Sequence, residues 1–183
     1  MSSYVDDICY LSPMSEKSYT LIKQWEEQKF ARSAANAEYL HELSINKPRI
    51  TPELQQTHEE VFAEVDCLAC ANCCKTTPPL YTTKDVKRIA RHLGISPKQF
   101  KNKYIIEDIN GDLVGIRVPC SFLNEDNTCS IYEVRPMACR TYPHTDDPAF
   151  VSRPDMNHQN TIVCPAAFHI VERLRSLHTA DNS

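Results

Sequence analysis

The stretch CLACANCCK, residues 67–75, places four cysteines within eight positions, with Cys73 and Cys74 adjacent. Thiols at this density are disulfide partners or metal ligands, and the rest of the chain chooses between them. The N-terminal MSSYVDDICYLSPMSEK has no basic segment followed by an apolar run, so it does not read as a signal peptide. No segment approaches the roughly 18 consecutive apolar residues that cross a bilayer. The expected address is cytoplasmic, where thiols stay reduced. The nine cysteines are an odd number, which a disulfide framework would leave unpaired. Metal ligation is the better reading.

Setting Cys9 aside leaves eight candidate ligands: Cys67, Cys70, Cys73, Cys74, Cys120, Cys129, Cys139 and Cys164. A C-x2-C pair lets two thiolates converge on one ion, and the run Cys67-x2-Cys70-x2-Cys73 offers three corners of a cubane cluster. In bacterial ferredoxins such a run is completed by a later cysteine followed by proline, and Cys164-Pro165 supplies that dipeptide. Small zinc sites more often present two well-separated pairs. The spacing therefore leans towards a 4Fe-4S iron–sulfur cofactor, with zinc as the alternative. Neighbouring residues diverge in direction, so Cys73 and Cys74 are expected to serve different sites or a shared bridge. Eight thiols suffice for two tetrathiolate sites or for one cluster plus a zinc, and the spacing leaves the partition open. A tetrathiolate zinc or an oxidised cubane carries a net charge of about −2. Lys75, Arg135 and Arg140, each within a few residues of a cysteine, are candidate cofactor-binding cations.

The charge of −4 is unevenly spread. Residues 1–66 hold six Lys/Arg against twelve Asp/Glu, and residues 67–183 hold fourteen against twelve. An acidic chain is not a generic nucleic-acid binder. Locally, KDVKRIARHLGISPKQFKNK is basic, with Lys84, Lys87, Arg88 and Arg91 on one polar helix face, which is ordinarily a solvated surface. With three glycines in all, neither a P-loop nor a dinucleotide fingerprint can be written.

Residues 12–43, SPMSEKSYTLIKQWEEQKFARSAANAEYLHEL, read as one helical run, with Leu21, Ile22, Trp25 and Phe30 near helical spacing and Pro48 ending it. A second helix follows, with Thr51 as N-cap and Pro52 at its first position. Further on, Thr83 is expected to cap a helix over Val86, Ile89, Ala90 and Leu93 that stops at Gly94. Ser96-Pro97 starts another. Asn110-Gly111 between two β-rich runs signals a hairpin. Residues 120–143 read as ligand-organised loops, and a final amphipathic helix begins at Cys164. The expected fold is mostly α with a small β-hairpin, an irregular metal-stabilised cysteine-rich domain. Its parts are an N-terminal helical extension over 1–66 that packs on that domain or on a protein partner, the cysteine domain over 67–175, and a tail over 176–183. No hydrolytic constellation stands out, and no catalytic residue is assigned. His144 and His158 read as surface loop residues, with a metal or catalytic role as the lesser alternative, His169 as packing or surface, and Tyr132 and Tyr142 as core, with hydrogen-bond donation to the metal ligands as the alternative.

Three blocks resemble the YkgJ-like cysteine-cluster proteins, described as carrying a zinc- or iron-chelating CxxCxxCC domain. They are CLACANCCK, PCSFLNEDNTCSIYEVRPMACRTYP and CPAAFHIVERLR, together covering about residues 67–175. The resemblance implies that all eight cysteines chelate metal and says little about a reaction. Flagellin lysine methylases carry a similar cysteine-rich part, but the radical-SAM CxxxCxxC spacing is missing here, so that activity is not transferred.

Overall fold

The computed structural model describes residues 15–46 and 50–180. Cys9 and Pro48 lie outside these residues. The run expected as one helix is two, α1 (Glu16–Gln28) and α2 (Ser33–Asn46). The break follows the packing. Leu21 and Trp25 of α1 are buried, Phe30 stands 72% exposed in the turn, and α2 buries a separate face made by Asn36, Tyr39, Leu40 and Leu43. The next helix, α3 (Thr51–Glu64), has Ile50 as its cap, so Thr51 lies inside it and gives no side-chain cap bond.

Two one-turn helices, α4 (Cys67–Cys70) and α5 (Asn72–Thr76), carry the first four cysteines. They precede a two-residue strand β1 (Leu80–Tyr81), helices α6 (Thr83–His92) and α7 (Pro97–Tyr104), and strands β2 (Ile105–Glu107) and β3 (Leu113–Gly115). Helix α6 is capped one residue earlier than expected. Thr82 accepts from the Asp85 N–H while the Asp85 carboxylate accepts from Thr82, a reciprocal capping box that Thr83 cannot make. Gly94, at φ +67°, ends α6 as expected, and Ser96 with Gln99 forms a second box at α7. The hairpin forms around Asn110-Gly111, where the Asp108 carboxylate accepts from the Asn110 and Asp112 N–H groups. A third strand, which the sequence did not announce, joins it: antiparallel order β1-β3-β2, with Leu80 opposite Val114.

The loop over 120–143 contains short α8 (Met137–Thr141), and the chain ends in α9 (Pro154–Val163) and α10 (Pro165–Ala180). His158 therefore lies on a helix, not in a loop, with its Nε2 2.8 Å from the Ser33 hydroxyl. The fold is mostly α with a small antiparallel sheet.

Two apolar clusters organise it. The first joins Leu21, Leu40, Leu43, Leu54 and Val61 from α1–α3 to Phe150 and to Ile170, Val171 and Leu174 of α10, with Cys164 at its edge. The N-terminal helices thus pack on the last helices of the chain. Glu64 of α3 joins its rim, accepting from Arg173 of α10 and pairing with Lys17 of α1 at 2.7 Å. Those two cations hold its carboxyl below the usual carboxylate range. The second cluster, around Val86, Ile89, Phe100, Phe122 and Ile131, has Cys120 and Cys129 packed against it. Among the described residues no helix is long and apolar enough to cross a membrane.

Gly115 marks the tightest backbone approach in the sheet. Its N–H donates to the Pro79 carbonyl at 2.9 Å, and an added Cβ would lie 2.8 Å from the Pro79 ring. The ring cannot rotate away, so Gly115→Ala is expected to lower stability by about 1–3 kcal/mol. Thermal melting followed by circular dichroism checks it; an unchanged midpoint would show that β1 slides freely.

Candidate metal centre

The first four cysteines are placed by backbone geometry. Asp66 caps α4 by accepting from the Leu68 N–H, and its own N–H donates to the buried Ser18 hydroxyl at 2.8 Å, which ties the start of the run to α1. Ala71, buried and at φ 48°, sits in the left-handed region between α4 and α5. A non-glycine residue there costs about 1 kcal/mol, and the turn it makes sets Cys67 and Cys70 on a different short helix from Cys73 and Cys74. The Asn72 side-chain amide then donates to the Val163 carbonyl at 2.7 Å. This single bond brings the CLACANCC run against Cys164, about ninety residues away in the chain.

Other bonds hold the remaining cysteines. The Cys120 N–H donates to the Cys74 carbonyl at 2.8 Å, and Cys129 forms a bridge with Leu123 in the loop that follows. Cys139 rides on α8, whose first N–H, that of Met137, donates to Asp85 at 3.2 Å. Arg88 reaches the same carboxylate at 2.6 Å and the Arg135 carbonyl at 2.9 Å. Burial raises the Asp85 carboxyl, but the bonds from Thr82, Arg88 and Met137 outweigh it and hold the group below the usual carboxylate range. Asp85 therefore positions the segment that carries Cys139.

All eight of these cysteines are free thiols. Burial is the first cause of the upward push on most of them, to about 12 for both Cys139 and Cys164. Cys139 is pushed further by neighbouring Cys74, Cys120 and Cys129, and Cys164 by Cys67 and Cys70. Between Cys73 and Cys74 a thiol hydrogen bond raises the first and lowers the second. Lys75 favours the charged forms of Cys70 and Cys74, and Arg135 those of Cys129 and Cys139. Among the described residues, no three or more His, Cys, Asp or Glu side chains converge as a ready metal cage.

The donor chemistry nonetheless fits a thiophilic metal. Eight reduced thiols, six of them half-buried and none in a disulfide, are soft polarizable donors, and a coordinated dication would deprotonate them and offset the cost of their burial. One buried polar atom points the same way: the Tyr142 hydroxyl has no hydrogen-bond partner, while Cys164, Cys73 and Cys70 act on it electrostatically. A phenol O–H is a suitable donor to a metal-bound thiolate.

The three candidate cations are placed differently. Lys75 Nζ donates to the Cys70 carbonyl at 3.0 Å. Arg135 stacks on the Tyr132 ring at 3.8 Å and donates to the Tyr132 carbonyl. Arg140 is engaged with the carbonyls of Arg135 and Glu133. Tyr132 is 52% exposed, so it is not a core residue as expected, whereas His169 is, with its ring nitrogen 2.8 Å from the Leu21 carbonyl. The sequence reading missed Asp85 and Asn72. Only Asp85 left a signal, the Thr82-x2-Asp85 capping spacing. On the basic face of α6, Arg88 is committed to Asp85, leaving Lys84, Lys87 and Arg91 exposed. Two surface depressions, of about 440 and 550 Å³, are lined by residues such as Thr57 and Glu60, or Glu16 and Gln24, and by no cysteine.

Comparison with known proteins agrees with the donor set. The profile of the CxxCxxCC family, described as "Putative zinc- or iron-chelating domain", matches residues 66–165, more than half of the chain. The chain is also similar to the uncharacterized protein MJ0661 of Methanocaldococcus jannaschii, 33% identical over 82 residues. That match covers 43% of this chain and 44% of the relative, so less than half of either. No solved structure gives a significant match. The chain belongs to the CxxCxxCC family of zinc- or iron-chelating cysteine-cluster domains.

Proposed function

We propose that this chain is a metal protein whose eight cysteines, Cys67, Cys70, Cys73, Cys74, Cys120, Cys129, Cys139 and Cys164, hold an iron–sulfur cofactor of the 4Fe-4S type, in a redox or electron-transfer role. The observation that carries the reading is the placement of Cys164-Pro165 beside the Cys67-x2-Cys70-x2-Cys73 run, through the Asn72 bond to Val163. A cluster would supply one-electron chemistry. The chain's own groups would do the rest. Lys75 and Arg135 offset thiolate charge, the Tyr142 hydroxyl is available to a thiolate, and α1 and α10 cover one side. Free thiols at all eight cysteines among the described residues suit a reducing, cytoplasmic compartment. Residues 67–175 are read as the chelating unit and residues 1–66 as its helical extension, with the outer faces of α1 and α2 open to a protein partner.

A structural zinc module is the second reading, favoured by the irregular stretch between β3 and α8, where Cys120 and Cys129 flank a loop with few ladder bonds. Zinc thiolates supply folding energy outright. Protein purified without oxygen distinguishes the two by iron, zinc and acid-labile sulfide content alongside a visible spectrum. Iron with matching sulfide and a colour that bleaches on reduction is expected. Zinc without sulfide would sink the iron–sulfur reading in favour of the structural one.

A further inference from the structure

We infer that the eight thiols form two separate four-cysteine sites divided between the adjacent residues Cys73 and Cys74: Cys67, Cys70, Cys73 and Cys164 make one, and Cys74, Cys120, Cys129 and Cys139 the other. The inference rests on the chelation reading above and adds which thiols act together.

Three observations carry it. The first is tethering. The Asn72 amide fixes the residue before Cys73 to the residue before Cys164, while the Cys120 N–H is bonded to the Cys74 carbonyl at 2.8 Å. The two neighbours in sequence are thus tied to opposite partners. The second is packing. Cys164 lies against the cluster built by α1–α3 and α10, whereas Cys120 and Cys129 lie against the cluster built by α6, α7 and the sheet. Each core carries its own cysteines. The third is the anchoring of the two remaining short helices. The Asp66 N–H, at the start of α4 with Cys67 and Cys70, donates to Ser18 of α1, whereas the Met137 N–H, at the start of α8 with Cys139, donates to Asp85 of α6.

Backbone geometry explains why the boundary falls there. Successive residues on a helix point about 100° apart, so two adjacent thiolates of α5 cannot face one centre without distorting the turn. Each would then complete a different set of four, the ligand count that zinc and cubane sites both take. Lys75, next to the boundary, sits where it can offset charge from both.

Paired substitutions test the partition whatever metal is used. Reduced full-length protein is loaded with zinc in one arm and with ferrous iron and sulfide in another, and bound metal per chain is measured with far-UV circular dichroism as a check on folding. In the arm where the wild type loads both sites, Cys164→Ser and Cys139→Ser are each expected to lose about half of the uptake. The pair Cys70→Ser with Cys164→Ser should lose no more than Cys164→Ser alone, and Cys164→Ser with Cys139→Ser should lose nearly all. A within-set pair that abolishes binding, or a cross-set pair that retains half, would overturn the partition while leaving chelation intact. A wild type that binds metal in neither arm would overturn both. Should a variant lose helicity, alkylation mapping of half-loaded wild type decides instead. Protection in the stated sets of four supports the partition, and protection that cuts across them rejects it.

Discussion

Trp25→Ala is expected to destabilise the protein by about 4–5 kcal/mol, from the loss of a buried aromatic plus an orphaned carbonyl. The side chain is 2% exposed, and its indole N–H donates to the Thr161 carbonyl at 2.9 Å, joining α1 to α9. Thr161 lies two residues before Val163, whose carbonyl accepts from Asn72, so the same contact steadies the approach to Cys164. Lys29 covers the outer face of the ring at 3.9 Å. Trp25→Phe separates the two contributions, since it keeps most of the apolar bulk and loses only the donor; it should cost about 1–2 kcal/mol. Because Trp25 is the only tryptophan, urea unfolding of these variants has to be followed by circular dichroism. An alanine variant within about 1 kcal/mol of wild type would mean that α1 does not pack as described.

Asp85→Asn should cost about 2–4 kcal/mol despite its near-identical shape. The carboxylate is 1% exposed and accepts from the Thr82 N–H and hydroxyl, from Arg88 and from the Met137 N–H. An amide has one acceptor oxygen and no charge, so Arg88 and at least one N–H lose their partner. Partial exposure of Arg88, 35% for its side chain, keeps the cost below that of a fully buried pair. The pH dependence has a defined sign. The folded carboxyl binds its proton less readily than the unfolded one, so its contribution is complete above the usual Asp range. It is lost as pH falls through the lower, folded value. Denaturation of wild type and Asp85→Asn should therefore converge in acid below the usual Asp range and differ fully at neutrality. A difference that persists undiminished below the lower, folded value would show that the charge is not what holds Met137 and Cys139 in place.

What the sequence disclosed depended on whether the determinants were local. Asn110-Gly111, Gly94 and the Ser96-Pro97 helix start act within four residues, and each formed where its chemistry requires. Thr82 won over Thr83 for the same kind of reason, because only Thr82 stands three residues before Asp85. The α9 segment PDMNHQNTIV was not read as a helix because Asn and Thr are weak helix formers. Its support is tertiary: Asn157 donates to Phe150, Asn160 donates to Pro143, and Trp25 reaches Thr161. Strand β1 has two residues and exists through its pairing with Leu113 and Val114. The cysteine spacing marked the candidate ligands. Their neighbours in space were not evident, because Asn72 carries no signal that it reaches Val163.

The two apolar clusters also differ in how they are written along the chain. One is contiguous, drawn from residues 81–131, while the other needs residues 21–65 together with residues 150–174. During synthesis from the N-terminus, the contiguous cluster has all its parts outside the ribosome while α9 and α10 are still being made. The apolar faces of α1–α3 must wait for them. Translation thus imposes an order, with the Cys120 and Cys129 side able to close first and the Cys164 side last. A nascent chain paused between those events would present unpaired N-terminal helices with their apolar faces uncovered.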